Sequence, residues 1–231
     1  MPSTVVHVAF AGMIAAALLG DAFDRRSLLV VVGAVAVADL DAFVGLVAVA
    51  GHRTVFHTFL VPGAAALALA VDLRVSDRSA LRSRYGARGV RIAWVTVVAF
   101  AAAAIGLDLF SAGGANPLWP LHDQFYQVGG RIELSDQRGV VQTFVDLSPP
   151  DADGTGGGDA GGVTDGASTQ ARGSSREVNV STGVDPDPDG DADGDVERLF
   201  PIVRSGWQLL LLIVGTFVTA ARLRVSETVE E

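Results

Sequence analysis

The sequence predicts a mainly α-helical, polytopic membrane bundle of about five spans, with a small β-hairpin and a disordered acidic loop on its outer side. Three observations carry that prediction. Hydrophobic residues make up 49% of the 231-residue chain, and most of them lie in long Ala/Val/Leu runs of the kind that cross a ~30 Å hydrocarbon core. The arginines gather beside alternate runs, as charges on one face of a bilayer do. Between the fourth and fifth runs lies an Asp/Gly/Ser/Thr tract with almost no core-forming residues.

Five runs read as spanning segments: residues 5–19, 28–50, 55–71, 90–107 and 207–221. Several fall short of the about 20 residues a perpendicular helix needs, so tilted or partial crossings are expected. No basic stretch precedes the first run, and it carries His7. It therefore reads as a retained helix rather than a signal peptide. Residues 42–51 read either as the outer half of the second helix or as a short re-entrant piece.

These segments divide the chain. Residues 1–122 form the membrane-embedded core. Residues 123–148 include the alternating RIELSDQRGVVQTFVDL, with Gly129-Gly130 and Arg138-Gly139 as turn signals. They read as an outer cap containing a β-hairpin. Residues 149–198 form the acidic linker, which buries too little apolar area to offset its ordering entropy. Within it, DPDPDGDADGD at 185–195 starts like a calcium loop. Position 12 of that frame is Val196, where a bidentate glutamate is needed, so a solvated linker is the better reading. Asn179-Val180-Ser181 is a glycosylation sequon. Residues 199–231 supply the last helix and a tail.

Orientation follows from the arginines. Arg25 and Arg26 lie between the first two runs, Arg74 to Arg91 in or beside the connection between the third and fourth, and Arg222 and Arg224 after the fifth. With five spans these regions share one face, which the bias makes cytoplasmic. The N-terminus and residues 109–206 then lie outside, and the C-terminus is cytoplasmic.

Composition removes several function classes. The chain has no cysteine, so disulfides and thiolate metal sites are excluded, and any metal site must use His, Asp or Glu. The net charge is -9 and all 17 basic residues are arginine, a halophilic type of composition. Acidity argues against nucleic acid as a partner, because phosphate binding needs clustered cations. Membrane lipids are the expected surroundings, and no feature fixes the oligomeric state.

The polar residues within the oily runs are the candidate site. His7, Asp39, Asp41, His57 and Asp108 fall roughly 18–26 Å above the cytoplasmic edge at ~1.5 Å per helical residue. His52 and Arg53 lie just beyond them. Intramembrane carboxylates are rare and point to function by default. Imidazole nitrogen and carboxylate oxygen are ligands for Zn²⁺, Mn²⁺ and Fe²⁺. Side chains at i and i+2 of a regular helix point apart, so the Asp39-Leu40-Asp41 pair predicts irregular backbone over 39–42. Taken singly, His7 reads as an interfacial residue and Asp108 as a helix-terminal solvent group. Together the set reads as a metal or proton-handling site. Arg53 is suited to hold a phosphate or developing oxyanion. It is equally suited to pair with Asp39 or Asp41, or to snorkel to headgroups.

The order of these motifs resembles a family of membrane-bound metal-dependent hydrolases, the YdjM-like, LexA-binding inner-membrane-associated proteins. The matching pieces are His7, Asp39-Leu-Asp41, His52-Arg-Thr-Val-Phe-His57-Thr58, and Asp108 followed by Gly113-Gly114 and Asn-Pro-Leu-Trp-Pro. The resemblance covers about residues 1–122 and leaves the acidic insert unexplained. Family members often carry a histidine one turn before the last aspartate, where this chain has Ala104. That departure implies fewer metals or a substitute such as His122, which otherwise reads as an interfacial residue. What the resemblance implies is a divalent metal, zinc first, with His7, Asp39, Asp41, His52, His57 and Asp108 as ligands and Arg53 and Asp41 in catalysis.

Three classes of function compete. One is a hydrolase acting on an ester or phosphoester, with a membrane lipid as leading substrate. Another is a metal-ion or proton transporter, and a metal-stapled scaffold without catalysis is the third. A conduit needs polar steps on the cytoplasmic side too, and those halves of the runs are Ala/Val/Leu.

Overall fold

Helix starts in this chain are set by capping as well as by hydrophobicity. The computed structural model describes residues 3–44, 53–74, 78–130, 132–137, 139–142, 170–178 and 198–230, with 180, 182 and 184 singly. Its helices are α1 (Thr4–Leu18), α2 (Arg25–Ala38), α3 (Asp41–Val44), α4 (Leu60–Arg74), α5 (Ala80–Ala99), α6 (Leu107–Leu109) and α7 (Gly206–Glu230). A π-helical segment, Phe100–Gly106, joins α5 to α6. Four short strands follow: β1 (Phe125–Gln127), β2 (Ile132–Ser135), β3 (Gly139–Gln142) and β4 (Gln170–Gly173).

α2 starts at a capping box. Asp24 Oδ1 accepts from the Ser27 N–H at 2.7 Å, and Ser27 Oγ accepts from the Asp24 N–H at 2.9 Å. α5 starts at Ser79, whose hydroxyl accepts from the Arg82 N–H. The Asp72 carboxylate, at the end of α4, takes the Ala80 N–H at 2.8 Å and the Leu81 N–H at 3.2 Å. Otherwise orphaned first-turn donors are thereby satisfied. Gly86, at φ 67°, kinks α5 near its start. The remainder, from residue 87 through α6, is roughly 34 Å of helix, about one bilayer core.

Among the described residues, three helical stretches are long and apolar enough to cross a membrane: Arg25–Val44, Ala80–Leu109 and Gly206–Thr228. The other two expected spans fall on α1 and α4. These have 15 residues each and are only about 22 Å long. The third run was expected to be helical from residue 55, but α4 begins at Leu60. Residues 53–59 are irregular because their polar groups bond outside the helix pattern. The Phe59 N–H and the Thr58 hydroxyl both donate to the Pro117 carbonyl, at 2.8 and 3.1 Å. Residues 45–52, which include the expected end of the second run, lie outside the described residues.

The core forms where α1 meets α2, α5 with its π segment, and α7. Val31, Val35 and Ala38 make the buried apolar stripe of α2, at helical spacing. They join Ala11, Ala15, Leu19, Ala99, Ala103 and Ile105 in one apolar cluster. α7 approaches α1 at glycines. A Cβ on Gly215 would stand 2.6 Å from the Ala9 carbonyl oxygen, and one on Gly12 would stand 2.6 Å from Thr219 Oγ1. Small residues permit this backbone contact, as membrane helix pairs require.

Over one end of the bundle lies a cap built from residues 110–128. Ala115 and Tyr126 exchange backbone bonds at 3.0 and 2.9 Å, and the Val128 N–H donates to the Leu109 carbonyl. The expected hairpin is present as the antiparallel pair β2–β3, with Leu134 opposite Val140. It does not cover the bundle, since Ile132, Leu134 and Val140 are 70%, 84% and 73% exposed. Part of the linker expected to be disordered is instead structured. β4 pairs antiparallel with β1, and the Ser175 N–H and hydroxyl both donate to Asp123. Backbone pairing and two carboxylates, Asp123 and Glu177 (which accepts from the Ser174 N–H and hydroxyl), order this piece without needing an apolar core. The calcium-like stretch, the rest of the linker up to residue 169, and both polar residues of the sequon lie outside the described residues.

Candidate metal centre

Four elements deliver side chains to one point below the cap. α1 brings His7, the α2–α3 junction brings Asp39, the loop before α4 brings His57, and α6 brings Asp108. The junction is irregular over the expected residues. α2 ends at Ala38, and the following bonds are of i→i+3 type, Leu40 N–H to Val37 O and Ala42 N–H to Asp39 O. This tight turn places both aspartates of the D-x-D against His57, on different ring nitrogens. The π segment changes the helical phase immediately before Asp108, a device common at functional sites.

The distances define the cluster. His57 Nε2 lies 3.4 Å from Asp39 Oδ1 and 3.4 Å from Asp108 Oδ2. His7 Nε2 lies 3.4 Å from Asp108 Oδ1, and His7 Nδ1 lies 3.6 Å from Asp39 Oδ1. These separations are long for charged hydrogen bonds, which run about 2.7–2.9 Å. The two to His57 Nε2 match the roughly 3.3–3.6 Å separation of neighbouring ligands that stand ~2.0–2.2 Å from an ion, whereas the two from His7 involve different ring nitrogens, only one of which can face the same ion. Both nitrogens of His7, Asp39 Oδ2 and Asp108 Oδ2 are buried with no hydrogen-bond partner. Buried polar atoms are ordinarily satisfied. One atom each from His7, Asp39 and His57 lie within 4.8 Å of one another, a group of donors fit to hold a metal ion.

Around this cluster stand two orienting contacts. Asp41 Oδ2 is 2.7 Å from His57 Nδ1 and accepts the Arg53 backbone N–H at 3.0 Å. With Nδ1–H on Asp41, the His57 lone pair sits at Nε2, facing Asp39 and Asp108. Carboxylates hold metal-binding histidines in this way. Arg53 is fully buried, at φ 68°. Its Nη2 donates to Asp108 Oδ1 at 2.7 Å and to Ser111 Oγ at 3.1 Å, and its Nη1 to the Gly114 carbonyl at 2.7 Å.

The structure thus brings together His7, Asp39, His57 and Asp108, and turns Asp41 toward the far side of His57. His52 lies outside the described residues. Arg53 pairs with Asp108 rather than with the carboxylates of Asp39 or Asp41, and its burial rules out snorkelling. His122 is on the exposed cap, 2.9 Å from the Tyr126 hydroxyl, and does not replace a ligand at Ala104, which is buried in the π segment. Sequence reasoning missed Ser111 and the Gly114 carbonyl as partners of Arg53. The signal was Gly113-Gly114. Gly113 leaves room beside Arg53 Nη1, and a Cβ on Gly114 would meet the Tyr126 carbonyl at 2.2 Å.

A family model, YdjM inner membrane protein, matches residues 1–156, more than half of the chain. The chain belongs to the YdjM inner membrane protein family. It is therefore a membrane protein, in agreement with its three long apolar helices. The YdjM match contains every residue of the cluster, the orienting Asp41 and Arg53, and the cap. β4 and α7 lie beyond it. No curated protein and no solved structure matches the chain.

Proposed function

We propose that this YdjM-family protein is an integral membrane metal-dependent hydrolase acting on an ester or phosphoester. The observation that carries the reading is the buried group of His7, Asp39 and His57, one donor atom of each lying within 4.8 Å of the others, with the unpartnered Asp108 Oδ2 3.4 Å from His57 Nε2. These four residues hold a divalent metal, zinc first by its preference for nitrogen and oxygen donors in a tetrahedron, with manganese and iron as alternatives. When bound, the metal supplies Lewis acidity toward water and an ester oxygen. Asp41 fixes the tautomer of His57, and Arg53 holds the Asp108 carboxylate in place. The arginine bias puts the N-terminus and the cap outside and the C-terminus in the cytoplasm.

A transporter fits less well. Beneath the cluster the described core is apolar, with Ala11, Ala15, Val35, Ala99 and Ala103 all fully buried, and offers no polar steps across that half. The test is metal analysis of the purified chain, together with hydrolysis of nitrophenyl esters and phosphoesters. Wild type should carry metal and cleave a substrate in a chelator-sensitive way. His57→Ala and Asp39→Ala should lose both. Normal metal content in both variants would sink the site. Metal without hydrolysis would leave a metal-stapled scaffold, and metal uptake into sealed vesicles would favour the transporter.

A further inference from the structure

The metal-ligand cluster is closed on three sides. Toward the cap, Arg53, Ala115, Asn116 and Phe125 are each 1% exposed or less. Toward the other end stand the fully buried alanines and Val35 of the core. On the α1 side, α7 covers the helix at its glycine contacts. Asp39 breaks the pattern. Its side chain is 14% exposed, against 2%, 0% and 1% for His7, His57 and Asp108.

The place of that exposure is informative. Asp39 sits at the seam of the α2 surface. On one side runs the buried stripe Val31, Val35 and Ala38. On the other, Val37, Leu40 and Phe43 are 49%, 50% and 55% exposed. In a membrane protein an exposed apolar helix face meets acyl chains. A water-borne molecule entering from the cap would have to break the Arg53 contacts to Asp108, Ser111 and Gly114. A bilayer-borne molecule would displace only lipid.

We infer that the site opens sideways into the bilayer at Asp39, and that its substrate is a bilayer-resident amphiphile whose ester or phosphoester enters past Leu40 and Phe43. The substrate class rests on the hydrolase reading, whereas the opening rests on exposure alone. Among the described residues no other member of the cluster offers an entrance.

The chain has no cysteine, so a single one can be introduced and spin-labelled uniquely. Full-length Asp39→Cys carrying a nitroxide is placed in phosphatidylcholine–phosphatidylglycerol vesicles. Its collision rates are measured with oxygen, which concentrates in the bilayer, and with a water-soluble nickel chelate. Oxygen should dominate. A label relaxed mainly by nickel, or reached by neither, overturns the opening. Leu40→Cys repeats the measurement with the cluster intact, and there too dominance of nickel overturns it. Separately, wild-type chain is given long-chain phosphatidylglycerol in vesicles and dibutyryl phosphatidylglycerol in solution. Loss of the long-chain lipid alone is expected, and equal cleavage of the soluble one overturns the substrate class. A label that meets oxygen in a chain that cleaves no ester removes the hydrolase reading and keeps the opening, so the two fail separately.

Discussion

At the scale of single residues, the centre works by dividing labour between carboxylates of identical chemistry. Asp39 and Asp108 face the shared point, while Asp41 sits on Nδ1 of His57. Asp41→Asn keeps an oxygen to accept from His57 and Arg53 but removes the charge. It should lower metal affinity about 10–100-fold, the usual cost of losing a supporting carboxylate, with the fold retained. Competition against a chelator of known affinity measures it. Arg53 poses the opposite case. Arg53→Met leaves the buried Asp108 carboxylate without its cation, which should destabilise the protein by roughly 3–5 kcal/mol. Thermal unfolding in detergent measures the loss, and added zinc should restore part of it by supplying a new positive partner. All four cluster residues stood out in the sequence because charged and imidazole groups are conspicuous in apolar runs. Which carboxylate does what was not legible, because it depends on a turn geometry that the letters D-x-D permit but do not set.

At the scale of elements, the forecast broken helix at 39–42 appears as the i→i+3 turn between α2 and α3, because side-chain direction on a helix is fixed by spacing alone. The start of α4 was misplaced for a complementary reason. Residues 55–61 read as apolar, and the bonds that hold 53–59 in a loop go to Pro117 and Asn116, partners about 60 positions away. The π segment likewise leaves no mark in an Ala-rich run. α7 shows how a helix far along the chain bears on the centre, since it packs on α1, the helix that carries His7. Gly215→Val would drive a side chain into the Ala9 backbone, two residues from His7. The expected result is a lower unfolding temperature together with reduced metal content. Gly33→Val, where a Cβ meets nothing within 4 Å, should change neither. Metal analysis and thermal unfolding of the pair check this.

At the scale of the whole molecule, membrane orientation decides which compartment the cap senses. In the orientation proposed from the arginines, the cap and its strap of residues 170–178 would face the outer medium. The strap is held by Asp123, which accepts from the Asn116 amide at 2.6 Å, from the Ser175 N–H at 2.9 Å and from the Ser175 hydroxyl at 2.8 Å. Burial works against its charge, but these bonds and nearby Arg176 outweigh it and hold the carboxyl below its usual range. A group with a depressed folded pKa adds stability above its unfolded value, about 3.9 for aspartate. That stability is lost as pH falls through the lower folded value. The strap should therefore stay closed at neutral pH and loosen only below about pH 4. Hydrogen exchange at the Ser175 amide, in chain reconstituted with one orientation in sealed vesicles, reads this directly. Acidifying the outer-facing medium should release the amide, and acidifying the cytoplasmic side should not. Asp123→Asn should exchange faster at neutral pH and show no such dependence. Release by acid on the cytoplasmic side alone would reverse the topology and with it the outward placement of the cap.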